Sequence, residues 1–469
     1  MPDKNFGAGV AVRTREHRQK VHVRIANLLR LLLISLLICG LCTTPLALAD
    51  ERPSPFQEWI DRTVPPKVVP AAPSPPTGEL SPHLAALWRA VLASPTGDPF
   101  FDVWPAELDA RAPGELVTWR DVTATAAPLA AVPIRRAVQV KFRSTSASGA
   151  ASFGTATLLI PAAEWTGAGT RPVAVNALPI NSLGARCTPS YALAHGLHDK
   201  FNAGDFFPPT TWWALSRGYA VLVPDHEGPW MSYAEPVVAG RVVLDAIRAV
   251  RGLAPEEFGD SRFAVGGYSG GAIAAYAAAV LLDEYAPDLS GVLVGAATGG
   301  LITDYREVAR DFNGNMASGI LLVVALAMAR EHPELLAHLN HLGQWLATSP
   351  VRDVCGDSNG PLGVTGIPLE ILTDVADPLG SEAAQRIFDH ADLMDRKSGA
   401  PLYIYHAAHD IWVSGTGSEE FHRRQCALGV PSVRRTVPGE HAIGLFAGFP
   451  GAIDWLDARL SGHLPPADC

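Results

Sequence analysis

Along this chain the apolar positions recur with two alternating periods. Arg136–Ser144 and Ser152–Pro161 read as strands joined by a Ser/Gly turn, which predicts a β-hairpin. Val173–Leu178 predicts a third strand. Thr210–Arg217 predicts a helix closed by Gly218, Tyr219–Val223 a strand, and Ala239–Arg251 a helix with apolar residues at helical spacing. Arg262–Gly266 predicts a strand that runs at once into an Ala-rich helix from Gly270 to Glu284. Gly291–Ala296, Leu402–His406 and Ser432–Val437 predict three more strands, and Gly451–Leu460 a closing amphipathic helix. Strands alternating with helices predict an α/β fold with a mainly parallel sheet covered on both faces.

Three stretches break the alternation. Between the sixth and seventh predicted strands, residues 303–398 are mostly helical, very apolar at Met316–Ala329 and amphipathic around Pro333–Ala347 and Ser381–Asp395. That length exceeds a connection, so an inserted helical cap is expected there. Residues 52–77 hold eight Pro and predict an extended, polyproline-like arm. The first 30 residues carry seven Lys/Arg against two acids, and Leu31–Cys42 follows without a charge before Ala47-Leu48-Ala49. A basic head, a short apolar run and a small-x-small site describe a secretory signal peptide cleaved after Ala49. A membrane span would need roughly 20 apolar residues. Arg13 and Arg15 are not adjacent, so no twin-Arg signal is present, and neither Cys39 nor Cys42 has the preceding small residue of a lipidation site. The expected organisation is a leader at 1–49, an N-terminal arm at 50–97, a core split into 98–302 and 399–469, and the cap between.

Composition narrows the function. The chain has 469 residues, 48% hydrophobic and 18% charged, which excludes a disordered or coiled-coil protein. A net charge of −10, becoming −15 once the leader is removed, lacks the basic footprint of a nucleic-acid binder. Four Cys remain after cleavage, Cys187, Cys355, Cys426 and Cys469; an even number in an exported chain predicts two disulfides, with three pairings open.

The chemistry centres on Gly267-Tyr268-Ser269-Gly270-Gly271, a G-x-S-x-G sequence between a predicted strand and an Ala-rich helix. The bare pattern is weak, but in this context it describes a nucleophile elbow. The turn is too tight for bulky neighbours, and the N–H after the Ser, at a helix N-terminus, points where an oxyanion would form. A Ser hydroxyl needs a base to take its proton, and the base needs an acid to hold its tautomer. In elbow proteins the chain order is Ser, acid, His. Asp410, just past the strand Leu402–His406, is the best acid; Asp374, Asp377 and Asp392 fall in the helical insert. His441, after the last strand, is expected on a loop that reaches the elbow. His422 sits in a charged helical run and His463 in the tail, while His406 and His409 precede Asp410 and are expected to support it.

With these motifs in view, the chain resembles the secretory lipase family, the lipase-A-like α/β-hydrolases of fungi and bacteria. The resemblance runs from about Asp98 to Cys469. It rests on Cys187-Thr-Pro-Ser-Tyr191, Asp225-His-Glu-Gly228, Leu244-Asp-Ala-Ile-Arg248, the elbow and Gly439-Glu-His441, with separations of 141 and 31 residues along Ser269, Asp410 and His441. It implies an α/β-hydrolase fold and the same Ser269, Asp410 and His441. It also implies disulfides Cys187–Cys355 and Cys426–Cys469, and oxyanion donors at Gly270 and Asn181, where fungal members carry Asp. Fungal members continue past the last Cys into a flap, so control of access by that flap is not expected here. The Asp225–Gly228 motif and the His338/His341 pair invite a metal reading. The first is expected to be structural and the second a solvated helix face, since neither reaches the ligand count of a zinc site.

The expectation is therefore a secreted Ser-hydrolase of carboxylic esters, acylglycerols foremost, that needs no cofactor and touches a lipid interface transiently. The apolar segment Met316–Ala329 is a candidate acyl-chain binder. A small-ester carboxylesterase or an acyltransferase would share the same three residues, and a catalytically inactive binding protein would share the fold. A peptidase finds no additional access-restricting domain in the sequence.

Overall fold

The computed structural model describes residues 52–76, 78–196 and 210–469; the expected leader and its cleavage point lie outside them. Among the described residues, nine strands form one sheet: β1 (Leu116–Asp121), β2 (Ile134–Thr145), β3 (Ala151–Pro161), β4 (Val173–Ala177), β5 (Ala220–Pro224), β6 (Phe263–Tyr268), β7 (Leu293–Gly299), β8 (Leu402–Ala407) and β9 (Ser432–Val437). Their order is β1-β2-β3-β5-β4-β6-β7-β8-β9. The first three strands and the β3–β5 pairing are antiparallel, and everything from β5 to β9 is parallel. The sequence pattern missed β1, so the helical insert follows the seventh strand and not the sixth. β1 is an edge strand with Thr118 and Trp119 open to solvent, and its apolar residues do not alternate.

Helices cover both faces. On one side Pro236–Leu253 and Gly270–Tyr285 pack on β2–β8. The two helices touch closely: a Cβ at Gly240 would stand 2.7 Å from the Ala277 backbone. The run of Ala in the second helix permits that approach. On the other side lie Thr123–Ala130, Thr210–Ser216 and the last helix, His441–Leu460. This last helix starts ten residues before the expected Gly451. Glu440 caps it by accepting from the N–H groups of Ala442 and Ile443, and the helix continues through Pro450. His441 is thus its first residue and does not lie on a free loop.

Between β7 and β8 the chain runs through the helices Tyr305–Phe312, Ser318–Glu331, His341–Ala347 and Glu382–Ala391. Arg330, fully buried, fastens this stretch by donating to the carbonyls of Leu183, Trp230, Val91 and Arg352. Burial lowers its guanidinium to about 10, against the pull of nearby carboxylates, so it stays charged at neutral pH. The Pro-rich arm also departs from expectation. Ser54 and Gln57 form a capping box and Pro55 opens the helix Pro55–Thr63. Gln57 then donates to Glu370 O and Val375 O, which docks the arm on the helical stretch. Disulfides join Cys187 to Cys355 and Cys426 to Cys469. Among the described residues no helix is long and apolar enough to cross a membrane.

Candidate active site

β6 ends at Tyr268, and the chain enters the helix Gly270–Tyr285 after a single residue. That residue, Ser269, has φ 53° and ψ −120°, a backbone region costly for any side chain but glycine. The turn is held by Ser269 N–H donating to Gly299 O at 2.8 Å. It needs glycine around it: a Cβ at Gly267 would lie 2.1 Å from Gly271 O, and one at Gly271 2.0 Å from Ala177 O. The hydroxyl is therefore presented at the carboxyl edge of the sheet on a support that cannot relax.

A loop and a helix start bring the partners. Asp410 follows β8; one carboxylate oxygen accepts from Trp412 N and Val413 N, each at 2.9 Å, and the other lies 2.6 Å from His441 Nδ1. The Asp410 loop is stitched to the segment leading into His441 through Ala408 N to Val437 O and His409 N to Gly439 O. His441 Nε2 lies 3.0 Å from Ser269 Oγ, and Tyr268 Oη donates to the His441 carbonyl. His406 Nε2 approaches Asp410 to 3.5 Å while also meeting Val413 O. Burial by itself would raise the Asp410 carboxyl. The His441 hydrogen bond and charge, with two backbone N–H groups, outweigh it and hold the carboxyl below its ordinary value. A hydroxyl, an imidazole and an ionised carboxylate thus stand in a row that can pass one proton from the Ser to the His.

The other expected residues are placed as follows. Asp374, Asp377 and Asp392 stay in the helical stretch, where Asp377 and Asp392 accept from the local N–H groups of Gly380 and Met394. His422 meets Ser432 Oγ, and His463 is exposed in the tail. His338 and His341 are apart in role: the first faces Asp374 and the second meets Val64 O. In the Asp225–Gly228 motif, Asp225 binds Thr155 Oγ1 and Ser190 N, and His226 meets Leu178 O. These partners pin the loop after β4.

Gly270 and Asn181 are in contact, since a Cβ at Gly270 would fall 1.9 Å from Asn181 Oδ1. Asn181 has φ 50°, its carbonyl accepts from Asn359 Nδ2, and its own Oδ1 is buried without a hydrogen-bond partner among the described residues. The carboxylate of Glu227 faces the N–H groups of Asn181 and Ser182. The part of Asn181 that meets the elbow is therefore its side-chain amide. Sequence reasoning did not give Glu227 this role, although its motif was visible. Tyr233 was missed entirely. Its ring lies beside Gly270 and also lines a cavity of about 170 Å³ walled almost wholly by apolar side chains of the helical stretch, Ile320–Leu322 and Phe388 among them.

A largely parallel sheet in this order, with Ser269 on a tight turn after β6, Asp410 after β8 and His441 after β9, defines an α/β-hydrolase. Solved structures agree: Candida antarctica lipase A in its closed state superposes with a TM-score of 0.69 at 25% identity, covering 81% of this chain and 89% of that one. The rice cell wall degrading esterase LipA of Xanthomonas oryzae shares the fold, with a TM-score of 0.54 at 13% identity, over 75% of this chain and 97% of that one.

The secretory lipase family model matches residues 211–467, more than half of the chain, and the chain belongs to that family. It is a serine ester hydrolase of the lipase/esterase kind. Lipase A of Moesziomyces aphidis is 28% identical over 401 residues, 81% of this chain and 83% of that protein. Lipase 1 of Candida albicans is 28% identical over 306 residues, 62% of this chain and 65% of that protein. A protein of Mycobacterium tuberculosis described as a probable inactive lipase is 28% identical over 380 residues, 78% of this chain and 83% of that protein.

Proposed function

We propose that the chain is an exported hydrolase of acylglycerols and related carboxylic esters, with Ser269 as nucleophile, His441 as general base and then acid, and Asp410 as the group that fixes and stabilises the imidazolium. His441 Nε2 takes the Ser269 proton as Oγ attacks the ester carbonyl. The carbonyl oxygen becomes an oxyanion, which the Gly270 N–H meets. As the tetrahedral intermediate collapses, the C–O bond to the alcohol breaks and His441 returns the proton to the leaving oxygen. Water then gives a proton to His441, attacks the acyl-enzyme and releases the acid, and Ser269 regains its proton.

At position 181 the reading is specific to this chain. With Glu227 facing the Asn181 N–H, an amide rotated by half a turn presents Nδ2 as the second oxyanion donor, a role its buried, unpartnered oxygen leaves open.

The apolar cavity supports a long acyl chain as substrate. It reaches Tyr233, whose ring lies beside Gly270, and continues between Ile320–Ala329 and Phe388, an apolar space into which the acyl tail of an ester at Ser269 would pass along Tyr233. The stretch 303–398 then acts as a cap that carries the acyl pocket. Transient contact with a lipid surface is supported by Ile411, beside Asp410, and by Ile443 and Phe446, two and five residues past His441, all 54–76% exposed. Export through a leader cleaved after Ala49 fits the two disulfides.

The single observation that carries the reading is the 3.0 Å approach of His441 Nε2 to Ser269 Oγ with Asp410 behind it. All three side chains are present and in contact, which favours turnover over an inactive binding protein. Hydrolysis of short, medium and long triglycerides, with and without an alcohol acceptor, tests the substrate. Rates that rise with chain length support the acyl pocket; activity confined to acetyl and butyryl esters would make the chain a small-ester carboxylesterase, and transfer outrunning hydrolysis an acyltransferase.

A further inference from the structure

Away from the elbow, three helix ends meet where the helical stretch packs on the core. Glu235 is the N-cap of Pro236–Leu253, His332 the C-cap of Ser318–Glu331, and His390 lies in the last turn of Glu382–Ala391. One ligand-type atom from each, two imidazole nitrogens and a carboxylate oxygen, lies within 4.8 Å of the others. His390 Nε2 is already 2.9 Å from Glu235 Oε1. The two imidazole rings meet edge to face with centroids 5.1 Å apart. Glu235 is fully buried, and Nε2 of His332 is buried with no hydrogen-bond partner among the described residues.

Such a set is unusual for an ordinary structural ion pair. A carboxylate and one histidine suffice for a pair. The second imidazole adds a buried, unsatisfied nitrogen, which costs free energy unless something binds it. The charge around the set also favours a cation. Glu334, 4.0 Å from His332 Nδ1, adds a carboxylate, and Glu331, buried beside His332 and held by Ser232 Oγ and Ala147 N, adds further acceptor oxygens. Two of the three helices present their carbonyl ends, which carry partial negative charge. Arg241 is the cation facing His390, and its guanidinium is committed to Ser146 O.

We propose that Glu235, His332 and His390 bind one divalent transition-metal ion, with Zn²⁺ the best match, and that the ion clamps the helical stretch to the α/β core. Two imidazoles and a carboxylate are a usual zinc donor set that leaves a fourth position for water. Zinc–ligand bonds of about 2.0–2.1 Å in a tetrahedron place donor atoms about 3.3 Å apart. The Glu235–His390 edge meets that spacing, and the remaining edges need a closure of at most about 1.5 Å, within reach of imidazole rotation. The ion would take the place of the proton now shared between His390 and Glu235. The site is separate from the elbow, and its role is to fix the stretch that forms the apolar cavity, not to activate the ester.

Untagged full-length protein, stripped with a chelator and titrated with Co²⁺ as a spectroscopic substitute for zinc, tests the site. The expected result is one equivalent bound with the visible absorption of a four-coordinate N/O site, Co²⁺ displaced by Zn²⁺, and a thermal midpoint raised by Zn²⁺. His332→Gln and His390→Gln should each weaken Co²⁺ affinity at least tenfold and remove the visible band. Glu235→Gln, nearly the same shape, covers the case in which a histidine variant fails to fold. A wild-type chain that takes up no Co²⁺ at millimolar concentration overturns the proposal whatever the variants do. So does a His332→Gln/His390→Gln chain that binds Co²⁺ as tightly as the wild type.

Discussion

Two carboxylates in this chain each hold a histidine through a hydrogen bond: Asp410 holds His441 at 2.6 Å, and Glu235 holds His390 at 2.9 Å. Both acids are buried, and both stay below their ordinary values because the histidine outweighs the burial that would raise them. What differs is the group beyond the imidazole. At the sheet edge it is a hydroxyl, fixed on a strained turn and 3.0 Å away. At the helix junction it is a second imidazole with an idle nitrogen. The same pair therefore backs a hydroxyl in one place and an idle imidazole nitrogen in the other. A carboxylate–histidine contact carries no function until its third member is known.

The comparison breaks most sharply at the hydroxyl. Ser269→Ala should lower kcat/KM on p-nitrophenyl esters by about 10⁵- to 10⁶-fold, with the urea midpoint little changed. A variant hydrolysing at the wild-type rate would remove Ser269 from the mechanism. Next in size is Asp410→Asn, which keeps the shape and fixes the wrong tautomer on His441. It should cost about 10³- to 10⁴-fold in kcat, whereas Glu235→Gln should register instead as a loss of about 1–3 kcal/mol in denaturant unfolding. Gly270→Ala follows, since the added methyl collides with Asn181 Oδ1 and displaces that amide. A fall in kcat of about 10²-fold with KM nearly constant would mark a lost oxyanion donor.

The smallest effect separates paired acids from an unpaired one. Asp225 is fully buried with hydroxyl and N–H partners but no cation, and burial pushes its carboxyl up to about 6 from an ordinary 3.8. The folded state then binds this proton more tightly than the unfolded state does. The stabilisation is complete below 3.8 and is lost as pH rises towards 6. Asp225→Asn, which cannot ionise, should gain on the wild type by about 2–3 kcal/mol between about pH 4 and pH 7, read from paired urea curves. A constant gap between the two curves would show that Asp225 is ionised throughout.

The two regions also differ in how readable they were. The elbow could be read from residues because its constraint is local: a strand, five residues and an Ala-rich helix in succession. Asp410 and His441 could be placed because each follows its own parallel strand, and such strands end at one edge. The element boundaries were less visible. The pattern predicts the last helix only from Gly451, just past Pro450, yet Glu440 caps it at His441 and the proline does not stop it. Ser54 and Gln57 made a capping box inside a Pro-rich run that otherwise favours an extended chain. The Glu235 cluster left no local trace. Its members are separated by up to 155 residues, and only the packing of three helix ends brings them together.

The most direct test of the central claim is the mass of the intact protein after reaction with an alkyl fluorophosphonate, followed by mapping of the adduct. The account predicts one adduct per chain, on the peptide that contains Ser269, with the labelling strongly slowed in His441→Ala. A protein that remains unmodified, or one labelled on another residue at the same rate with and without His441, would contradict it.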